Sequence, residues 1–291
     1  MKSIKAVAFA PGHISGFFEP IFNKDISKTG SRGAGINISL GAISEVLVKN
    51  SNKTDFKIFL NGKKSVFPII PTALKFLIGD NKMEITVKTT LNLPLSQGFG
   101  MSAASVVSAS YALSKIINKT FFEALKASHY AEVCHKTGLG DVISCSFGGI
   151  EIRTKPGLPP WGNIKHIKGN YELVLCVIDE IIDTEKILSD FDRIKIITKY
   201  GNYCTNKLKK SPTIENLFLL SKLFTEKTML ASKNVLDAIQ IANKFGKASM
   251  CMLGNSVFAM GETNKICDKL KSFGNIFVCS VDEYGARIIS Y

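Results

Sequence analysis

Between Leu93 and Leu113 the 291-residue chain reads LPLSQGFGMSAASVVSASYAL. Pro94 closes an extended segment, glycines follow at Gly98 and Gly100 around Phe99, and Met101 then leads into a run of small residues with the texture of a helix. Glycines let a backbone come close to a ligand, and the unpaired N–H groups of a first helical turn attract an anion, with the helix dipole behind them. Ala103 and Ala104 add no bulk, and Ser102 puts a hydroxyl where it can cap the helix, touch a phosphate or ligate a metal. No G-x-x-x-x-G-K-S/T occurs, which excludes a P-loop. G-F-G-M-S-A fits G-x-G-x-x-A, but Asn92 to Gln97 separate it from the preceding strand, and the next carboxylate, Glu123, reads as a helix cap rather than a ribose ligand. On pattern alone the segment is equally a phosphate cradle or a ligand-free turn.

A second group lies downstream in HYAEVCHKTGLGDVISCSFGG, which places Glu132 on a helix and Asp141 just after a glycine-containing turn. Phosphoryl transfer to an alcohol needs Mg2+ on the phosphate oxygens, a carboxylate to hold it, and a base or orienting group at the acceptor hydroxyl. Two carboxylates in unequal settings can divide the last two tasks; taken singly, each reads as a surface acid near a loop. His129 precedes Glu132 by three residues and shares its helix face, as a substrate contact or as a satisfied buried histidine. Arg153 follows on the next strand, as a clamp for a substrate carboxylate or as a plain edge-strand arginine.

These residues need elements to hold them. Short apolar and alternating segments make most of residues 1–92 strand, with Asn61-Gly62 as a hairpin turn and PTALKFLI as a brief helix. A helix over about 102–118 carries the glycine motif, and a second opens at Thr120, where T-F-F-E forms a capping box with Glu123. Residues 155–163, KPGLPPWGN, are dense in proline and glycine and read as a boundary. Beyond them YELVLCVID is a strand, Asp183 or Thr184 caps a short helix, and three helical segments lead to two short strands around Gly254-Asn255, a helix and a last strand. Strands and helices mix without strict alternation, so the expected class is α+β in two lobes, residues 1–155 and 164–291.

Composition limits the alternatives. Hydrophobic residues make up 45% and charged residues 21%, a globular balance; no apolar run reaches bilayer length, and Pro11-Gly12 cuts the N-terminal run short of a signal peptide. We expect a soluble, cytoplasmic protein with no membrane partner. The seven cysteines are scattered, with no C-x-x-C, which argues against disulfides and a zinc site. A net charge of +13 suits an anionic partner, but the positive charge is nearly all dispersed lysine, with arginine only at positions 32, 153, 193 and 287. Nucleic-acid readers favour arginine, so a solvated surface is the expectation and nucleic acid is not. The sequence does not fix the oligomeric state and leaves a homodimer open.

P-L-S-Q-G-F-G-M-S-A-A resembles the P-x-x-x-G-L-G-S-S-A-A motif of the GHMP kinases, departing at Phe99 and Met101. The second departure removes one of two adjacent hydroxyls and throws the weight onto Ser102. The resemblance implies an ATP- and Mg2+-dependent phosphotransferase with an N-terminal ribosomal protein S5 domain 2-like lobe and a C-terminal ferredoxin-like lobe. It implies that Pro94, Gly98, Phe99, Gly100, Met101, Ser102, Ala103 and Ala104 hold the nucleotide, that Ser102 and Glu132 hold Mg2+, and that Asp141 is the catalytic base. A narrower resemblance, to the archaeal pantoate kinase family, is carried by G-H-I-S-G-F-F, G-S-R-G-A-G-I-N, TGLGD and MLGNSVFA. It implies pantoate as the small-molecule substrate and 4-phosphopantoate, on the route to coenzyme A, as the product. Under it Arg153, with Arg32 or a lysine, holds the substrate carboxylate, and His13, Ser31, His129 and Thr184 are hydroxyl or helix-end contacts; Ser31 and Thr184 read better as turn and cap residues. Another small alcohol (mevalonate, homoserine or shikimate) is the alternative acceptor, and RNA binding the alternative from another class.

Overall fold

The computed structural model describes residues 3–178 and 190–291. Thr184 and the short helix expected at Asp183 or Thr184 lie outside the described residues. The chain opens with two long antiparallel strands, β1 (Ile4–Ile21) and β2 (Gly30–Asn50). The expected KAVAFA strand is thus the first third of β1, which continues through Pro11-Gly12. Proline donates no ladder hydrogen bond, and here the register shifts by a bulge between Pro11 and Gly12 and again between Ser15 and Phe17 instead of stopping. Bulges re-aim side chains, and both fall beside His13.

β2 pairs with β5 (Met83–Leu91) along its second half and with β6 (Ile150–Lys155) along its first. β3 (Asp55–Leu60) lies parallel to β5 and turns at Asn61-Gly62 into β4 (Lys63–Lys64). Both turn residues have positive φ, 47° and 77°, as a two-residue hairpin requires. Residues 155–163 join β6 to β7 (Asn163–Ile167) as a hairpin within this sheet, Lys155 facing Asn163. A late strand, β12 (Arg287–Ser290), returns to pair with β1.

The helices α1 (Ile69–Ile78), α2 (Met101–Ile116), α3 (Phe121–Cys134) and α4 (Asp141–Phe147) gather against this sheet, with α2 lying across β1 and β2. Small residues bring α2 close to the strands: Ala103, Ala104, Ser108, Ala109 and Ala112 are buried, and Ser44 on β2 joins Ser108 (2.7 Å) and Thr89 (2.8 Å) in a buried hydroxyl chain. The α3 capping box is formed in both directions, the Glu123 N–H donating to Thr120 Oγ1 (3.2 Å) and the Thr120 N–H to Glu123 Oε2 (2.8 Å).

The second sheet contains β8 (Glu172–Val177), β9 (Gly246–Met250), β10 (Ser256–Gly261) and β11 (Asn275–Ser280), all antiparallel, in the order β11-β8-β10-β9. Numbered along the chain this is 4-1-3-2, the ferredoxin-like order the sequence led us to expect. Among the described residues, α5 (Phe191–Lys210), α6 (Ile214–Thr228) and α7 (Lys233–Ala242) lie between its first two strands, and α8 (Thr263–Leu270) connects its last two. α5 and α6 also pack on β1, and Phe224 of α6 meets the rings of Phe17 and Phe18. No described helix is long and apolar enough to cross a membrane.

Candidate active site

α2 begins directly at the glycines. Gly98 (φ 76°) and Gly100 (φ 62°) occupy the left-handed region, open to glycine at little cost. No side chain caps the helix, and its first internal bond runs from the Ala104 N–H to the Gly100 carbonyl (2.9 Å). The N–H groups of residues 101–103 thus lack an intrahelical acceptor and face the cleft that this loop lines. The cleft, about 590 Å³, is walled by Gly98 to Ala103, by residues 135–141, by Ser15 and Ser31 from the long strands, by Phe67 and Leu95, and by Met252 and Leu253 from the second lobe. The second lobe is fastened to the loop: Ser256 Oγ donates to the Gln97 carbonyl (2.5 Å), and the Met252 N–H to the Ser15 carbonyl (3.1 Å).

Glu132, on α3, and Asp141, the first residue of α4, meet at Gly138. A Cβ there would lie 2.7 Å from Glu132 Oε1 and 3.2 Å from Asp141 Oδ2, so the turn needs glycine for both carboxyls to approach. Glu132 is buried, and its Oε1 accepts the Val142 N–H (3.1 Å) while Oε2 has no partner. Ser102 Oγ and Thr137 Oγ1 are likewise buried and unpartnered. Burial, reinforced by the Asp141 charge, pushes the Glu132 carboxyl up to about 8. A divalent cation beside it would reverse that cost. Orphaned oxygens of this kind, on Ser102 at the mouth of α2 and on Glu132 beside Gly138, suit Mg2+, which commonly takes one or two protein ligands and completes its shell with water and phosphate oxygens. Among the described residues no three His, Cys, Asp or Glu side chains form a closed metal cage, which is consistent with such an open site.

Asp141 has a different environment. His13 Nδ1 lies 2.7 Å from its Oδ1, and His13 Nε2 is 3.0 Å from Glu151 Oε1, which also pairs with the Arg153 guanidinium. Burial pushes the Asp141 carboxyl up, but the hydrogen bond and charge of His13, with help from Arg153, outweigh it and leave it below its ordinary value. Burial likewise pulls His13 down, and its bonds to Asp141 and Glu151 more than compensate, leaving it raised. The ring lies between two carboxyl groups, one at each nitrogen. His13, expected as a hydroxyl contact for the substrate, is 1% exposed, with both nitrogens engaged by carboxyl groups.

The other expected substrate residues divide. Ser31 lines the cleft. Arg153 sits behind that wall, donating to Ser144 Oγ (2.9 Å) and Ser15 Oγ (3.3 Å), with a buried unpartnered Nε. His129 is buried; its Nε2–H donates to the Ile26 carbonyl (3.0 Å), burial holds it below its usual pKa, and its Nδ1 has no partner. Arg32 faces elsewhere, paired with Glu19 (3.2 Å) and donating to Asn206 Oδ1 (2.9 Å) across β1 and α5. Pro94 and Ala104 are outside the cleft lining; Ala104 lets α2 sit close to the sheet. Met252 opens the M-L-G-N-S segment that the sequence suggests shapes the cleft, and it lines it; Ser15 and Thr137, which also line the cleft, and Glu151, which meets His13, were not singled out. Glu151 had a signal, an acid two residues before the only nearby arginine on one strand.

The model of the GHMP kinases N terminal domain matches residues 69–149, the stretch holding the glycine loop, Glu132 and Asp141. The chain is 32% identical to a pantoate kinase of Methanospirillum hungatei over 99% of its own length and 98% of that protein's, and 34% identical to one of Thermococcus kodakarensis over 87% and 86%. The chain belongs to the GHMP kinase family. Among solved structures this kinase superposes on a phosphotransferase related to the CoA biosynthesis pathway with a TM-score of 0.89 at 28% identity, each chain covered to 99%. The mevalonate kinase of Methanococcus jannaschii shares the fold, with a TM-score of 0.69 at 17% identity and coverage of 97% and 98%. The kinase thus has the two-lobed architecture the glycine motif implied, and its cleft lies where the lobes meet.

Proposed function

We propose that this kinase transfers the γ-phosphoryl group of ATP to the primary hydroxyl of pantoate, giving 4-phosphopantoate and ADP. The observation that carries the reading is the convergence, in one cleft, of a bare helix N-terminus with the unpartnered Ser102 Oγ and a carboxylate kept below its ordinary pKa, Asp141, with the buried Glu132 carboxyl, its Oε2 unpartnered, packed against Gly138 of the cleft wall. Pantoate kinases align with the chain over nearly its whole length, which supports this acceptor over other small alcohols.

The N–H groups of residues 101–103 receive the triphosphate. Ser102 and Glu132 would hold Mg2+, which when bound neutralises the phosphate oxygens and the charge building on the leaving group. Asp141 orients the acceptor hydroxyl and takes its proton as the oxygen–phosphorus bond forms and the bond to the β-phosphate bridging oxygen breaks. That oxygen leaves with its electron pair on ADP. Arg153 stands behind Ser15 and Ser31, so a substrate carboxylate against that wall meets two hydroxyls backed by a buried positive charge.

The test is ATP-dependent turnover with pantoate, mevalonate, homoserine and shikimate, the product identified by phosphorus NMR. Turnover with pantoate alone is expected. Turnover with another alcohol alone overturns the acceptor, and turnover with none overturns the kinase reading.

A further inference from the structure

His13 does two jobs from one residue. Its backbone N–H donates to the Phe99 carbonyl in the glycine-rich loop (2.9 Å), and Gly100 packs on its backbone, where a Cβ would come within 3.1–3.2 Å of it. Its ring meanwhile holds Asp141 on one side and Glu151 on the other. Gly35 on β2, opposite Ser15, leaves room for the ring: a Cβ there would collide with Nε2. The bulges at Pro11/Gly12 and Ser15/Phe17 isolate this four-residue stretch of β1 and set its direction.

We propose that His13 is a positioning residue that fixes the Asp141 carboxylate relative to the phosphate-binding loop, with Glu151, itself tied to Arg153, holding the far nitrogen of the ring. The proposal rests on the kinase reading of the cleft. In-line transfer tolerates little error in the separation of acceptor and phosphate, and an ångström of misplacement can cost about a hundredfold. Asp141 stands at the start of a seven-residue helix on a turn with two glycines, Gly138 and Gly140, so its own backbone supplies weak restraint. The imidazole supplies the restraint instead, and because the same residue carries the loop, donor and acceptor sides share one anchor. Neither His13 nor Glu151 touches a reacting atom.

Two amide variants separate the ring's two edges. His13→Asn puts a side-chain N–H near the position of Nδ1 and keeps the donor to Asp141; His13→Gln reaches only toward Glu151. On whichever acceptor the wild-type protein phosphorylates, His13→Gln is expected to lower kcat about a hundredfold, with KM for ATP and acceptor within about threefold, and His13→Asn to recover at least tenfold of that loss. In an Asp141→Asn background His13→Gln should cost less than about threefold, because its effect runs through the missing carboxylate. A merely structural role would instead give equal losses in both backgrounds. The assignment is overturned by a His13→Gln kcat within threefold of wild type, by KM rising with kcat kept, or by additive losses. Should His13→Gln fail to fold, His13→Asn decides alone: a kcat within tenfold of wild type supports the assignment, and a loss as large as that of Asp141→Asn overturns it. Because the acceptor is chosen by turnover, failure of pantoate as substrate and failure of His13 as anchor give separate results.

Discussion

The Glu132 and Asp141 carboxyls approach the same point, Gly138, yet are driven in opposite directions: burial raises the first, and despite its own burial the second is kept low by His13. Proximity alone would leave two like charges in conflict. His13 eases that conflict by holding Asp141 low while Glu132 stays raised. The proposed division of labour between metal ligand and base rests on that asymmetry.

Asp141→Asn keeps the shape and removes the proton acceptor and the anionic partner of His13. Loss of general-base and orienting catalysis is worth about 10²–10⁴-fold, and we expect a kcat loss in that range. In the proposed arrangement the nucleotide rests on the loop and not on this side chain, so ATP affinity should change less than about threefold by calorimetry. An unchanged kcat would remove Asp141 from the chemistry.

Glu132→Gln should trade function for stability. The folded carboxyl is raised from 4.5 to about 8, so in the metal-free protein its contribution to stability is fully present below pH 4.5 and is lost as pH rises through about 8. A shift of that size is worth roughly 5 kcal/mol at most; allowing for relaxation, we expect a gain of about 1–3 kcal/mol for the variant at pH 9 and almost none at pH 4. Glutamine keeps the acceptor for the Val142 N–H. Melting curves at the two pH values check the sign, and the same variant should need far more Mg2+ for turnover, if it turns over at all.

Ser102→Ala removes a buried hydroxyl that has no partner. Losing such a group costs the fold nothing and can stabilise it, so Tm should hold or rise. Activity should fall about a hundredfold, with a raised Mg2+ requirement. A fall in Tm with unaltered Mg2+ dependence would show the hydroxyl to be structural.

Gly98→Ala tests the loop. At φ 76° a Cβ is strained wherever it points, and here it would lie 2.8 Å from the Cys251 carbonyl and 2.9 Å from that of Met252. Strain and displacement of the second lobe should together cost about 1–3 kcal/mol and raise KM for ATP at least tenfold. Wild-type kinetics with wild-type Tm would mean that the loop is not held as described.

What could be read in advance was local. The Thr120–Glu123 box, the Asn61-Gly62 turn and the α2 N-terminus are contacts between residues two to four apart, and side-chain types at such spacings carry their own geometry. The 4-1-3-2 sheet followed from family resemblance, not from periodicity. β7 and β12 were missed because both are short and solvent-facing at most positions; each becomes a strand by pairing with one already in place.

By itself the sequence determined which residues could do phosphoryl chemistry: a glycine loop with one hydroxyl, and two acids near a glycine turn. Only the tertiary structure decided what the histidines and arginines do. His13 is 128 residues from Asp141 and 138 from Glu151, and Arg32 finds Asn206 across 174. No local spacing encodes such pairs. The His13 pairs form where the ring is buried, and in low dielectric a buried charge must find a partner. The same residue types elsewhere on this sheet would have stayed ordinary surface groups.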